Sequence, residues 1–82
     1  MIILQKAIAT EKVVRMIEAE NVLSFEVDRQ FKKIDIKKEV EELFDVKVAG
    51  VRTHTRKNKK FAYVKLKPEF HAVDVATKLG LL

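Results

Sequence analysis

The chain has 82 residues, with 17 Lys/Arg against 12 Asp/Glu, a formal net charge of +5 and 48% hydrophobic residues. One domain of this size buries only roughly 60% of its extended surface, so its core is thin, yet the apolar content excludes a disordered chain. The absence of cysteine excludes disulfides and thiolate chemistry and fits the cytosol, and no apolar run approaches the roughly 20 residues of a membrane span.

Residues 1–9 are apolar except for Gln5 and Lys6. They read as a short strand, and as too short and too little charged for a signal peptide. Thr10 offers a helix N-cap, and Glu11 sits where the helix dipole favours an acid. The first helix is expected to run to about Glu20, with Val13, Met16 and Ile17 inward and Asn21 as its stop. Val22 to Asp28 alternates: Leu23, Phe25 and Val27 point one way, Ser24, Glu26 and Asp28 the other. That is a half-buried strand. Arg29 to Lys33 form a basic connector. Ile36, Val40, Leu43 and Phe44 then recur at i, i+4, i+7 and i+8, one apolar stripe of a second helix. No good N-cap precedes it; Asp35 serves only if the helix starts a turn late.

The stretch from Val46 to Pro68 holds eight Lys/Arg and no acid. Val46, Val48 and Val51 give an alternation broken at Gly50. Ala62, Val64 and Leu66 give a second, with Phe61, Tyr63 and Lys65 opposite. Arg56 to Lys60 between them must be solvated. The reading is a β-hairpin with a cationic tip, suited to a polyanion; the bland reading is a lysine-guarded edge hairpin. Pro68 ends the last strand. Phe70, Val73, Ala76 and Leu79 recur at helical spacing, Gly80 is a natural C-cap, and Leu81-Leu82 trail beyond it. The order is β-α-β-α-β-β with a short C-terminal helix, an α+β fold of one sheet packed by helices.

Several stretches, in this order, resemble a known family. They are Thr10-Glu11-Lys12, Phe25-Glu26-Val27-Asp28, Ile36-Lys37, Val40-Glu41, Leu43-Phe44, Val46-Lys47-Val48 with Val51 and Thr53, Lys59-Lys60, Ala62-Tyr63-Val64 with Leu66, and Asp74, Ala76 and Leu79-Gly80. Together they resemble the universal large-subunit ribosomal protein L23 family, in its compact archaeal form, over nearly the whole chain. The abundant Lys and Glu also hint at a thermophile.

The resemblance implies a four-stranded antiparallel sheet with flanking helices. It implies binding to large-subunit ribosomal RNA, chiefly its third domain, beside the mouth of the polypeptide exit tunnel. It also implies neighbouring ribosomal proteins as partners and a docking role for signal recognition particle and nascent-chain factors. No membrane insertion, small-molecule substrate or cofactor is expected, and the location implied is the cytoplasmic ribosome. Glu11 stands where bacterial members contact trigger factor. Ala7 replaces a common Pro, Arg52 a common Asn, and Lys32 the usual Thr or Asn. The hairpin loop is short, so a role as a tunnel-lining sensor is not expected.

For the RNA surface, Arg56, Lys57, Lys59 and Lys60, with Asn58 among them, are expected to meet phosphates. Arg52, Thr53 and Thr55 lead to that turn, and Thr hydroxyls bond phosphate or 2′-OH groups unless they serve only β-propensity. Thr10 and a second group, Lys6, Lys12, Arg29, Lys32, Lys33 and Lys37, gather near the helix starts; the alternative is solvated helix ends. Tyr63 either stacks on a base or joins the core, and Phe61 is expected in the core.

Three functions compete. The first is a structural ribosomal component that recruits factors. The second is a free single-strand RNA binder of the RNA-recognition-motif type, since Lys59 to Leu66 resembles that motif's central sequence. That fold needs β-α-β-β-α-β order and an aromatic in its first strand, where this chain has Ile2, Ile3 and Leu4. The third is a two-histidine hydrolase using His54 and His71, which lack metal-ligand companions.

Overall fold

The computed structural model describes residues 10–80 in full and the backbone of residues 4–7. The expected strand residues outside 4–7 at the start, and the Leu81-Leu82 end, lie outside the described residues. Seven elements follow in order: β1 (Leu4–Ala7), α1 (Glu11–Glu20), β2 (Val22–Val27), α2 (Lys33–Phe44), β3 (Val48–Arg56), β4 (Lys59–Leu66) and α3 (Ala72–Lys78). The fold is α+β with an antiparallel sheet. β4 lies between β2 and β3, and β1 adds to the free edge of β2.

The pairing register fixes the faces. Leu23 and Phe25 of β2 pair with Val64 and Ala62 of β4, and Val51 and Thr53 of β3 pair with the same two residues. Partners in a ladder share a face, so Leu23, Phe25, Ala62, Val64 and Val51 lie together. α2 covers this face. Its Ile36 and Val40 are buried, and Phe44 stacks on Phe25 at 5.9 Å between ring centroids. β2 and β3 run parallel with β4 between them, and α2 is the crossover that joins them.

Each helix end has a physical cause. The Thr10 hydroxyl accepts the Val13 N–H at 3.3 Å. Lys32 is the N-cap residue of α2 and gives no side-chain cap bond; the Asp35 carboxylate reaches back instead to accept the Lys32 N–H at 3.0 Å. Asp35 thus works from inside the first turn, where its charge also suits the dipole. Asn21 and Asp45 end α1 and α2 in the left-handed region, with φ of 59° and 54°.

Two expected stripes are corrected. Leu43 is 54% exposed, because Ile36, Val40 and Phe44, spaced four residues apart, form the inward line of α2 and Leu43 falls to one side of it. In α3 the buried side chains are Ala72, Val75 and Ala76, while Val73 and Leu79 are exposed. The helix starts at Ala72, after a turn in which the Phe70 N–H bonds the Lys67 carbonyl. The expected Ala76 stays inward, and the face turns from Val73 towards Ala72 and Val75.

Asn21 joins the far end of the sheet to α3. Its amide donates to the carbonyls of Leu66 at 3.2 Å and Phe70 at 2.8 Å, and its Oδ1 accepts the Ala72 N–H at 2.6 Å. One side chain thereby serves α1's end, β4's end and α3's start. Asn21→Ala is expected to lower stability by about 2–4 kcal/mol, from lost partly buried bonds and an unfavourable left-handed residue. Asn21→Gly removes only the bonds and should cost about 1 kcal/mol less. Denaturant unfolding of the three proteins checks both magnitudes and their order.

Candidate nucleic-acid interface

The hairpin carries the highest local charge. Arg56 pairs with Lys59 and Thr55 with Lys60, so the turn is only Lys57-Asn58. Both residues have positive φ, 51° and 65°, the two-residue I′ geometry that matches strand twist. The expected five-residue solvated turn is therefore shorter, and Arg56, Lys59 and Lys60 belong to strands.

Strand alternation now sorts the side chains. Arg52, His54 and Arg56 of β3 share a face with Lys59, Phe61, Tyr63 and Lys65 of β4. Cross-strand pairs are Arg52 with Tyr63 and His54 with Phe61; on the other side of β4, Ser24 pairs with Tyr63. This is the face opposite Phe25 and α2.

α1 borders that face without covering all of it. An open groove of about 1080 Å³ runs between them. Lys12, Arg15, Met16 and Ala19 line one side; Ser24, Phe61, Tyr63, Arg52, His54 and Arg56 line the other. Val13 and Ile17 are buried, whereas Met16 is only half-buried beside the groove. Phe61, expected in the core, is half-buried here as Tyr63 is. The core needs neither ring, because Ala62, Val64 and Leu66 fill it from the same strand with 0–1% exposure.

The sequence pattern of the family described as Ribosomal protein L23 matches residues 2–72, which contain all four strands, α1 and α2. The chain belongs to that family. As a member of the L23 family it is a protein of the large ribosomal subunit, with ribosomal RNA and ribosomal proteins as partners. The family is structural rather than enzymatic.

Within this L23 fold, the two expected basic groups partly merge. β2 ends beside the hairpin tip, where Val27 pairs with Lys60. Arg29 follows it and shares a small hollow with Asn58 and Lys59, beside Glu26 and Asp28. Lys32, Lys33 and Lys37 are exposed at the start of α2. Lys12 lies instead in the groove with Arg52 and Arg56. Lys57, Asn58 and Lys59 are exposed at the tip, and Thr10 is exposed with its hydroxyl engaged as the cap. Thr53 and Thr55 turn to the α2 face of β3 by alternation, and Thr53 is half-buried. The Lys6 side chain lies outside the described residues; its backbone pairs with Glu26.

Lys60 differs from its neighbours. It lies on the core face with Ala62, half-buried, and its ammonium donates to the Phe31 carbonyl at 2.6 Å. That bond fastens the connector before α2 to the hairpin. Glu11 is exposed and bonds Arg15 at 3.2 Å, one helical turn on; such a surface pair is weak. His54 is near the tip and His71 beyond the other end of β4, so they form no joint site. Among the described residues, no group of acids and histidines is placed to hold a metal, and no helix is long and apolar enough to cross a membrane.

Sequence reasoning missed Arg15, and weighed His54 only as half of a two-histidine hydrolase. Their signals were present: Arg15 is three residues from Lys12 on a helix, and His54 stands between Arg52 and Arg56 at strand spacing. Lys60→Met is expected to cost about 1–2 kcal/mol, the loss of a charge-assisted bond at a partly buried carbonyl. Lys59→Met should leave stability nearly unchanged. Thermal unfolding of both variants distinguishes the fastening lysine from the free one.

Proposed function

We propose that this chain binds chiefly the third domain of large-subunit ribosomal RNA, beside the mouth of the polypeptide exit tunnel. Its RNA-facing residues are Arg52, Arg56, Lys57, Asn58 and Lys59 of the hairpin, Lys12 and Tyr63 of the groove, and Arg29, Lys32, Lys33 and Lys37 beyond the tip. Thr10, its hydroxyl engaged as a cap, Thr53 and Thr55 on the α2 face, and Lys60, which holds the hairpin to the α2 connector, border that surface; Lys6 is assigned to it from the sequence pattern. The reading rests on one observation above all: Lys12 and Arg15 of α1 and Arg52 and Arg56 of β3, from separate elements, line one groove against only two acids, Glu11 and Glu20. Local charge gathered from separate elements is what a phosphate backbone selects and what folding alone does not require.

The two-residue turn supports the compact archaeal form of the family, because it extends no long loop. It is consistent with a cytoplasmic ribosome of that type. The second part of the proposal is that Glu11, exposed on the first turn of α1, belongs to a docking surface for signal recognition particle or nascent-chain factors. A free RNA-recognition-motif role is the weaker reading: the chain order is β-α-β-α-β-β-α, and the pairing partners of Tyr63 and Phe61 on the flanking strands are Ser24, Glu26, Arg52 and His54, none of them a base-stacking Phe, Tyr or Trp.

Joint substitution of Arg56, Lys57 and Lys59 by Glu is expected to weaken binding to a third-domain RNA fragment. It should also reduce the slope of log affinity against log salt by about 2–3, one counterion-release term per lost phosphate contact. An unchanged slope would remove the hairpin from the RNA surface. Glu11→Lys should leave RNA affinity equal or higher, since it removes a negative charge beside the groove, while reducing factor recruitment to assembled ribosomes. Reduced incorporation of the variant into ribosomes would count against a docking role.

A further inference from the structure

We infer that the groove between α1 and the β3–β4 face is a pocket for unpaired nucleotides, so that this protein grips a single-stranded or bulged segment of RNA as well as duplex phosphates. The inference rests on the ribosomal-RNA reading above and deepens it by naming the RNA form that the groove takes.

Three observations carry it. The first is the aromatic pair. Phe61 and Tyr63 stand two residues apart on one face of β4, roughly 6.8 Å apart along the strand, and both keep exposed surface in the groove. Rings spaced along an open sheet face offer π-surfaces to successive bases of an unstacked strand. A duplex cannot use them, because its bases already cover one another and its grooves show only edges and backbone.

The second is charge. Lys12, Arg15, Arg52 and Arg56 line the groove against Glu11 and Glu20. Glu11 already bonds Arg15, which leaves Lys12 and the two β3 arginines to meet phosphates. Arg52 pairs across the strands with Tyr63, and His54 with Phe61. Each ring thus has a polar or cationic neighbour beside it, the arrangement that holds a base by its face and its phosphate by its charge.

The third is room. Ala19 on the α1 side and Ser24 on the sheet side are small. Ser24 is the direct partner of Tyr63 and is itself 3% exposed. Large apolar residues at these two positions would close α1 onto the tyrosine and turn the groove into core. An apolar peptide would find too many cations here; an acidic peptide could meet the charge but would leave the two rings without flat partners.

Tyr63 is the only tyrosine, and there is no tryptophan, so intrinsic tyrosine emission reports from this groove alone. The full chain is titrated with a short oligouridylate, with a blunt RNA duplex of equal phosphate count, and with oligoglutamate, at matched salt. The expected result is saturable quenching by oligouridylate and little by the other two. Tyr63→Leu should lose about tenfold in oligouridylate affinity, followed by a labelled strand, with an unchanged salt slope, while Tyr63→Phe retains it. If Tyr63→Leu does not fold, Arg52→Gln with Arg56→Gln, at exposed positions, should flatten the salt slope for oligouridylate. Equal quenching by the duplex, stronger quenching by oligoglutamate, or full affinity in Tyr63→Leu overturns the inference. Binding of the third-domain fragment is measured alongside. If that fragment binds but the groove variants do not matter, the groove fails and the ribosomal-RNA reading stands; if the fragment itself does not bind, the earlier reading fails.

Discussion

The register of β4 is the constraint on which the rest depends. β4 is paired on both sides, to β2 and to β3. Its even-numbered residues from Ala62 to Leu66 build the core, and its odd-numbered residues from Lys59 to Lys65 face outward. A slip of one residue would bury Tyr63 and Lys65 and expose Ala62, Val64 and Leu66, moving the functional face into the core. The slip is blocked at both ends. At one end the two-residue Lys57-Asn58 turn leaves no slack. At the other, an irregularity at Ala49 absorbs the extra residue of β3, the Glu41 carboxylate holds the Val48 N–H at 2.9 Å, and Asn21 bonds the end of β4.

That register also separates charge along the molecule. β2 ends and α2 begins near the hairpin tip, which brings Arg29, Lys32 and Lys33 to the end that carries Lys57 and Lys59. α2 then runs back towards the start of β3, so Glu39, Glu41, Glu42 and Asp45 fall at the other end, where Lys47, Lys65 and Lys67 offset part of their charge, with Glu18 and Glu20 where α1 meets β2. A net charge of +5 thus understates the field at the tip. Such a separation orients a polyanion before contact and keeps it from the acidic end. Lys60 has a different part in the same design, since its charge holds the α2 connector against the hairpin that presents the others.

Much of this was legible in the sequence, and the reasons for success and failure are local. Thr10 and Asn21 announced α1 because capping chemistry depends on one or two residues. The alternation from Lys59 to Leu66 announced β4, and the unopposed run of bases announced a polyanion. The ordered motifs reached the family. Less legible was anything set by which element covers which. Leu43 fits the apolar stripe of α2 but falls to one side of the inward line of Ile36, Val40 and Phe44. Phe61 looks like core to any count of large residues, yet α1 stops short of covering it. Val73 lost to Val75 because Ala72, Val75 and Ala76 make the inward face of α3, and Val73 stands about 100° round from Ala72. The bond from Lys60 to Phe31 joins positions far apart in sequence, and no local pattern encodes it.

The central claim is that the outward face of β4 with its flanking bases is the RNA surface, while the acidic end is not. The most direct measurement is a residue-by-residue map of amide shifts in the full chain on adding the third-domain RNA fragment at moderate salt. The account predicts changes concentrated at Arg52, His54, Arg56, Lys57, Lys59, Phe61, Tyr63 and Arg29, fading towards Glu42 and Asp45. Changes centred on the C-terminal half of α2 or on α3, with the hairpin unmoved, would contradict it.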